Sequence, residues 1–542
     1  MNSRSSRPLR RPGHAVIALL VALYGAAVLV LCARRAVSLP VFALLAAALL
    51  ALLLLLSRRL RGVRLNIATT PQPLSPRAFA LGAGLCFASM LLYLAAYFPG
   101  GVSSDTLMQW DDAHRFYFHD WHPVLHTLLI WLLTRIVDHP AFVLLCQLAA
   151  YAAAVGYVTA VLARWRFPKA VCALVAAFLS LNPALCSIMT FIWKDCAFAI
   201  CALFLGAQLL EIHLSGGEWL SGRGHAAALA LTLALTSIFR HNGLAMTLPV
   251  AVWLAVSFPR RLRRVLCALL GAALLFAGVK GPLYSALDAV KPESSLSEVY
   301  GVPMVVLSHI FAEAPEAIDG ETAAFLTGFA SQERFAELDA CGDWNEIKWY
   351  VSEPDMSEMT LGQITGMALR AAAKEPQLAV EALAGLWQLP FLPFGDAYWR
   401  ISPYTSQEFM FSFSFEAAGI APLRRALGWL CRLFSTPALS WLGWCPGFAL
   451  LAVMLACALL GRDRPLSALL LPAALIAYDL ATALVLSSPT DYRFFLSTPM
   501  LAPLCVLGLL AAPHAVAPHA VAPQAVAPRS SAVSCKADAH PV

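Results

Sequence analysis

The stretch YFPGGVSSDTLMQW, residues 97–110, closes a long apolar run with a proline, two glycines, two serines and one carboxylate, Asp105. Pro99 and the glycines cannot continue a helix, so a turn presents that carboxylate just past the apolar run. Further on, FIWKDCAF (191–198) sets Lys194 and Asp195 between two apolar runs with almost no loop around them. IFRHNGL (238–244) and SSPTDYRFF (487–495) repeat the arrangement. A turn that needs only polarity is served by Gly, Asn or Ser, whereas a charge pushed toward the centre of a membrane helix costs about 2.5–3.5 kcal/mol. Ionisable groups this close to apolar sequence therefore read as functional. Arg240 and Arg493 suit a phosphate, whose oxygens match a guanidinium fork; either one is equally suited to anchoring a helix at the interface. DWHPVLH (120–126) puts His122 and His126 four apart, on one helical face. They follow Asp111, Asp112, His114, His119 and Asp120. Such side chains can ligate a metal, and they can equally hydrogen-bond lipid headgroups.

These residues sit in a chain built for a bilayer. Sixty percent of the 542 residues are hydrophobic, 13% are charged, and the mean hydropathy is +0.70. That composition excludes a soluble domain, and runs of about 18 or more apolar residues read as membrane helices. The net charge of +6 is not a nucleic-acid signal, because the basic residues fall in short clusters between apolar runs. That pattern orients spans through the positive-inside bias. Most of the 14 cysteines lie within apolar runs, among them Cys86, Cys146, Cys201 and Cys505, with no CxxC or Cys/His zinc spacing. They read as small hydrophobes, neither a disulfide framework nor a structural zinc site.

Apolar runs long enough to span, roughly 20 residues each, lie near 14–32, 38–56, 78–97, 141–163, 170–191, 196–212, 225–239, 244–258, 265–284, 440–460, 466–487 and 494–511. The clusters Arg58 to Arg64, Arg164 to Lys169, PRRLRR (259–264) and Arg462 with Arg464 separate them and are expected to face the cytoplasm. The run 123–137 is only about 15 residues long and is expected to lie along the interface as a short amphipathic helix. Counting it as a span would put RWRFPK (164–169) outside. The expected fold is thus an all-α polytopic membrane protein of about twelve transmembrane helices. Interfacial helices occupy the first outer loop, and both termini are cytoplasmic. Arg34 and Arg35 fall outside without explanation.

The expected organisation is a basic N-terminus (1–13), then a membrane domain (14–284) whose outer loops 98–140, 192–196 and 240–243 carry the polar motifs. A loop domain (285–439), three further helices (440–511) and a tail (512–542) follow. Residues 285–375 hold 16 Asp and Glu against 5 Lys and Arg, and the whole 285–439 loop is long enough for its own folded, mostly helical layer. The apolar stretch 378–394 is expected to dip into the interface. The tail repeats HAVAP with a five-residue period and cannot build a core, so it reads as a disordered cytoplasmic extension.

Under this topology Asp105, the 111–126 segment, Lys194 and Asp195, Arg240 to Asn242, the long loop and Asp491 to Arg493 all meet at the outer face. An outward-facing enzyme in a bacterial-type membrane has no nucleotide sugar at hand, so a glycosyl donor must arrive on a lipid phosphate. Such a donor needs cations at headgroup depth. It also needs a carboxylate to take the acceptor's proton as an oxocarbenium-like transition state forms. The rival class is a transporter or flippase of a lipid-linked or anionic precursor, although broken helices with mid-membrane charges and internal repeats would mark one. A glycan polymerase or ligase is the other alternative.

An Asp just after a span, a His-Pro-x-Leu segment opening a short helix, and a charged pair opening a later span together resemble the GT-C superfamily of membrane glycosyltransferases, which includes protein mannosyltransferases and lipid A aminoarabinose transferases. The segments FPGGVSSDTLMQW, DWHPVLHTLLIW, IWKDCAFAI, FRHNGL and PTDYRFFL carry the likeness, across roughly residues 80–510. Val124 stands where the family's segment has a second proline, and the large loop precedes the last spans instead of following them. The resemblance implies Asp105 as catalytic base or metal-associated carboxylate and Asp195 as the second catalytic acid. Lys194, Arg240, His122, His126, Asn242, Tyr492 and Arg493 would lie around a polyprenyl-phosphate sugar donor. A divalent cation, magnesium or manganese, would be held at Asp105 and Asp195 in those members that use one. The acceptor would be an envelope glycan, lipid or protein, and the site would lie on the extracytoplasmic side of the cell membrane.

Overall fold

The computed structural model describes residues 13–291, 300–338, 344–348, 350–351, 359–394, 418–485 and 491–511. The N-terminal basic segment, the middle of the long loop and the HAVAP tail lie outside the described residues. Among the described residues every regular element is helical. In chain order the first twelve longer helices are α1 (Gly13–Ala33), α2 (Leu39–Arg59), α3 (Pro76–Ala96), α4 (Ser104–Arg115), α5 (Val124–Thr134), α6 (Pro140–Arg164), α7 (Lys169–Leu181), α8 (Pro183–Met189), α9 (Lys194–Leu214), α10 (His225–Ile238), α11 (Leu244–Ser257) and α12 (Leu262–Gly278). Later come Gly301–Glu313, Leu361–Lys374, Pro376–Leu386, Ala421–Phe434, Pro446–Leu460, Ala473–Val485 and Ser497–Leu510.

Nine helices among the described residues are long and apolar enough to cross a membrane, and α7 with α8 makes a tenth if the bent pair is one span. The chain is therefore a multi-pass, all-α membrane protein. The count of twelve depends on α10 and α11, which at 14 residues each are shorter than the span length expected from 225–239 and 244–258. The run 170–191 is not one straight helix. Asn182 precedes Pro183, and the residue before a proline is driven out of the helical region. The helix therefore stops, Asn182 accepts hydrogen bonds from the Ala184 and Leu185 amides, and α8 restarts at 48°.

Helices α3 and α6 pack at close range because glycines face each other. A Cβ at Gly82 would fall 2.3 Å from Thr159 Oγ1, and one at Gly156 would fall 2.9 Å from the Phe79 carbonyl oxygen. Small residues of this kind let membrane helices approach where no hydrophobic effect drives them together. Helix α9 and the last helix, Ser497–Leu510, lie at the centre of the bundle, with most of their residues buried.

The basic clusters gather at one end of the bundle. There Arg464 donates to the Val63 carbonyl, Arg164 pairs with Glu211, Arg261 pairs with Glu218, and the Leu65 amide reaches Leu510. At the opposite end the loop after α12 folds a second apolar core around Met304, Leu307, Phe311, Phe335, Trp344 and Ile364. The segment 376–391 packs beside α1. Tyr24, in the middle of α1, donates to the Phe391 carbonyl at 3.4 Å, and Trp387 donates to Ala483 at 3.1 Å. Arg34, unexplained by sequence, begins the turn whose Arg34 carbonyl and Ala36 amide are both bound by the Gln377 carboxamide.

Candidate functional site

Two loops are stitched together before any charged group meets another. After α3 the chain turns through Gly100 (φ 124°), and the Gly101 amide donates to Thr190 at 2.8 Å. A Cβ at Gly101 would lie 2.7 Å from the Phe191 ring, so only glycine lets the loops touch here. Ser103 caps α4 by accepting from the Thr106 amide and also accepts from Trp193 Nε1 at 2.6 Å. Thr106 Oγ1 donates to the Ile192 carbonyl at 3.1 Å. From the other side Gln147 donates to the Met189 and Phe191 carbonyls at 3.0 and 2.8 Å. The first turns of α4 and α9 are thereby fixed against each other, which brings Asp105 to Lys194.

Asp105 Oδ2 accepts from Arg493 at 2.7 Å and lies 3.5 Å from Lys194 Nζ. Burial works to raise the Asp105 pKa, but the Arg493 guanidinium and the Lys194 ammonium outweigh it and hold the carboxyl well below the usual carboxylate range. Lys194 Nζ also donates to His122 Nδ1 at 2.7 Å. Burial first, then the Lys194 charge, lowers the His122 pKa to about 2, so the ring is neutral. Its Nδ1 accepts from the ammonium, which leaves Nε2 to carry the proton, buried and with no hydrogen-bond partner. Arg493 pairs in addition with Asp491 at 2.7 Å, and its guanidinium lies 4.9 Å from the Trp193 ring centre and 5.0 Å from that of Phe494. Stacked guanidinium groups of this kind are held rigid by cation–π attraction.

Behind this cluster Asp195 and Arg240 form an ion pair that is almost wholly buried. Arg240 Nε donates to Asn242 Oδ1 at 3.0 Å, and Asn242 Nδ2 donates to Thr482 Oγ1 at 2.8 Å. Alongside, Asp120 accepts from Lys280 Nζ at 3.1 Å on both oxygens and from the Tyr284 hydroxyl at 2.7 Å, with His241 Nε2 at 4.0 Å.

The expected set is thus brought together in part. His122, Lys194, Asp105 and Arg493 are linked in that order, each to the next. Asp195, Arg240 and Asn242 form the supporting layer, where Asp195 is too buried to meet a substrate. Two residues are placed elsewhere. His126 is buried with Nδ1 on Gln109 Oε1 at 2.7 Å, so it joins α5 to α4. Tyr492 is buried against Trp444, with its hydroxyl donating to the Gly443 carbonyl at 2.9 Å. Its neighbour Arg493, not Tyr492, points into the site because the 3-10 turn Tyr492–Phe495 sends successive side chains to different sides.

Lys280, Tyr284 and Gln109 were missed by sequence. Lys280 interrupts the apolar run LLFAGVKGPLY, and that lone charge near a span end was the available signal. The structure places it in a π-helical turn, Val279–Leu283, a local geometry common at functional sites.

The donor set does not fit a divalent cation held by the protein alone. Among the described residues no third His, Cys, Asp or Glu joins Asp105 or Asp195 in a ligand group. Each carboxylate instead faces a guanidinium or ammonium group.

Residues 110–338 match a family of unknown function, DUF6020. The matched segment takes in His122, Lys194, Asp195, Arg240, His241 and Lys280, and leaves out Asp105 and Arg493. No curated protein and no solved structure matches the chain.

Proposed function

We propose that this protein is a GT-C-type glycosyltransferase that moves a sugar from a polyprenyl-phosphate donor to an envelope acceptor on the extracytoplasmic side of the cell membrane. The observation that carries the reading is the meeting of Lys194 and Arg493 on Asp105 at one end of a membrane bundle, opposite the arginine clusters. By the positive-inside bias those clusters face the cytoplasm, which turns the Asp105 end outward.

A lipid phosphate at headgroup depth would join Asp105 on the two cations. The two non-bridging oxygens of the donor phosphodiester match the Arg493 fork, and the N-termini of α4 and α9 add positive potential there. An apolar groove of about 300 Å³ suits the hydrocarbon chain of such a donor. Phe178, Trp441, Phe448, Pro499, Pro503 and Val506 are among its lining residues, and it reaches Gly443, the hydrogen-bond partner of Tyr492 next to Arg493. Leaving-group departure is the step these cations would assist, since charge grows on the phosphate as the C1–O bond breaks.

Among the described residues, the 48° break between α7 and α8 and the buried carboxyl of Asp479 inside the helix Ala473–Val485, which accepts from Thr498 Oγ1 at 2.7 Å, are the features that favour a transporter. The polar residue of the break, Asn182, is used up in capping α8 and in donating to the Leu442 carbonyl at 3.1 Å, and the break carries no ionisable side chain. The test is transfer of radiolabel from a set of polyprenyl-phosphate hexoses in membranes containing the full chain. Wild type should transfer and Arg493→Ala should lose at least about 100-fold. Accumulation of a flipped lipid without transfer would replace this reading with the transporter.

A further inference from the structure

A transferase needs a base for the acceptor hydroxyl, and the carboxylates of this site are poorly suited to the task. Asp105 is neutralised by two cations. Asp195 is sealed in its pair with Arg240. His122 is buried with Nδ1 taken by Lys194. The open group is His241: its side chain is 47% exposed, against 22% for Asp105 and 17% for Asp120. It follows Arg240 on the turn between α10 and α11, and Asp120 faces its Nε2 at 4.0 Å. Asp120 is itself fixed by Lys280 on both oxygens and by the Tyr284 hydroxyl. An imidazole backed by an immobilised carboxylate is the usual makeup of a general base.

Resting on the transferase reading above, we propose that His241 is the general base of this site, with Asp120 its positioning residue. The neutral imidazole takes the proton from the acceptor hydroxyl as that oxygen bonds to C1 of the sugar. The bond from C1 to the phosphate oxygen breaks, and its electron pair leaves with the polyprenyl phosphate beside Arg493 and Lys194. The imidazolium formed is stabilised by Asp120.

The charged groups facing His241 are Asp120 from the turn before α5, Lys280 from the end of α12 and Lys194 from the start of α9. Burial comes first among the influences on the ring and lowers its pKa; Asp120 and a hydrogen bond to the Trp121 backbone oppose this, and the two lysines add to the lowering. That direction favours the neutral ring, the form that accepts a proton. Activity should fall with acid as it becomes protonated, below the ordinary histidine range.

The experiment is the pH profile of radiolabel transfer from polyprenyl-phosphate hexoses by the full chain in proteoliposomes. His241→Gln, at an exposed position that should leave the fold intact, is expected to lower kcat about 100-fold or more with little change in donor KM and to abolish the acid limb. Asp120→Asn should move that limb to lower pH, because it removes the charge that favours the imidazolium; thermal unfolding of the same sample separates this from misfolding. Wild-type rates in His241→Gln, or an acid limb that persists there, would overturn the assignment while leaving the transferase reading in place. Absence of transfer by the wild type from every donor would overturn both.

Discussion

Arg493 and Asp105 stand 388 residues apart in the chain and 2.7 Å apart in space. The turn before the last helix thus closes a site that the first outer loop opens. The guanidinium also holds Asp491, so one side chain ties two carboxylates to the ring of Trp193. Removing it leaves both anions short of a counter-charge in a largely dehydrated setting. Arg493→Ala is expected to cost on the order of 3 kcal/mol of stability, read as a fall in unfolding temperature in detergent. Adding Asp105→Asn should restore part of the loss, since the two groups are coupled; strict additivity of the two changes would contradict the pairing.

Asp195→Asn exposes the same logic one layer deeper. Arg240 is buried, and without Asp195 its charge keeps the Asn242 contact and the faces of Phe198 and Phe494. A loss of about 3–5 kcal/mol is expected, with much of it recovered in Asp195→Asn combined with Arg240→Met. Asp195→Asn with wild-type stability would show the pair to be dispensable.

Gly101→Ala tests the stitching of the two loops. The added methyl would lie inside contact distance of the Phe191 ring, so the loops must part, at about 1–3 kcal/mol. Transfer should fall further than stability, because Asp105 and Lys194 lose their register. Phe191→Leu in the same chain should return part of the activity.

Acid should weaken the fold through His122 and His126, whose pKa values burial and the Lys194 charge lower to about 2 and about 3. Between those values and the ordinary histidine range the unfolded chain binds protons that the folded chain does not, so stability falls as pH drops below about 6.5. The slope is about 1.4 kcal/mol per pH unit for each such ring. Asp105 acts in a different window. Its folded pKa is depressed, so its contribution is complete above the ordinary carboxylate range and is lost only in stronger acid. The fall in unfolding temperature from pH 7 to pH 5 should therefore become shallower in His122→Gln with His126→Gln and keep its slope in Asp105→Asn.

Much of this site could be read from the sequence because membrane burial makes charge expensive. Lys194 and Asp195 stood out for lack of any loop to solvate them, and the structure puts both at the centre of the ion-pair network. The short run after His122 was legible as a non-spanning helix from its length and from the alternation of the arginine clusters. Partnerships were not legible. Nothing local says that Asp195 belongs to Arg240 or that Asp105 belongs to Arg493, because a covalent chain fixes neighbours and not the packing of distant helices. Tyr492 beside Arg493 looked equally polar in sequence, yet a tight turn sends it into the core. Lys280 was hidden by its span, since one lysine barely changes the hydropathy of a twenty-residue window.

The most direct measurement is binding of a polyprenyl phosphate to the purified full chain, followed by native mass spectrometry at increasing lipid concentration. The wild type should retain one lipid phosphate, and Lys194→Ala and Arg493→Ala should each weaken that binding by about tenfold or more, with a neutral polyprenol binding poorly to all three. Equal binding of the phosphate and the polyprenol, or undiminished phosphate binding by both variants, would contradict the account.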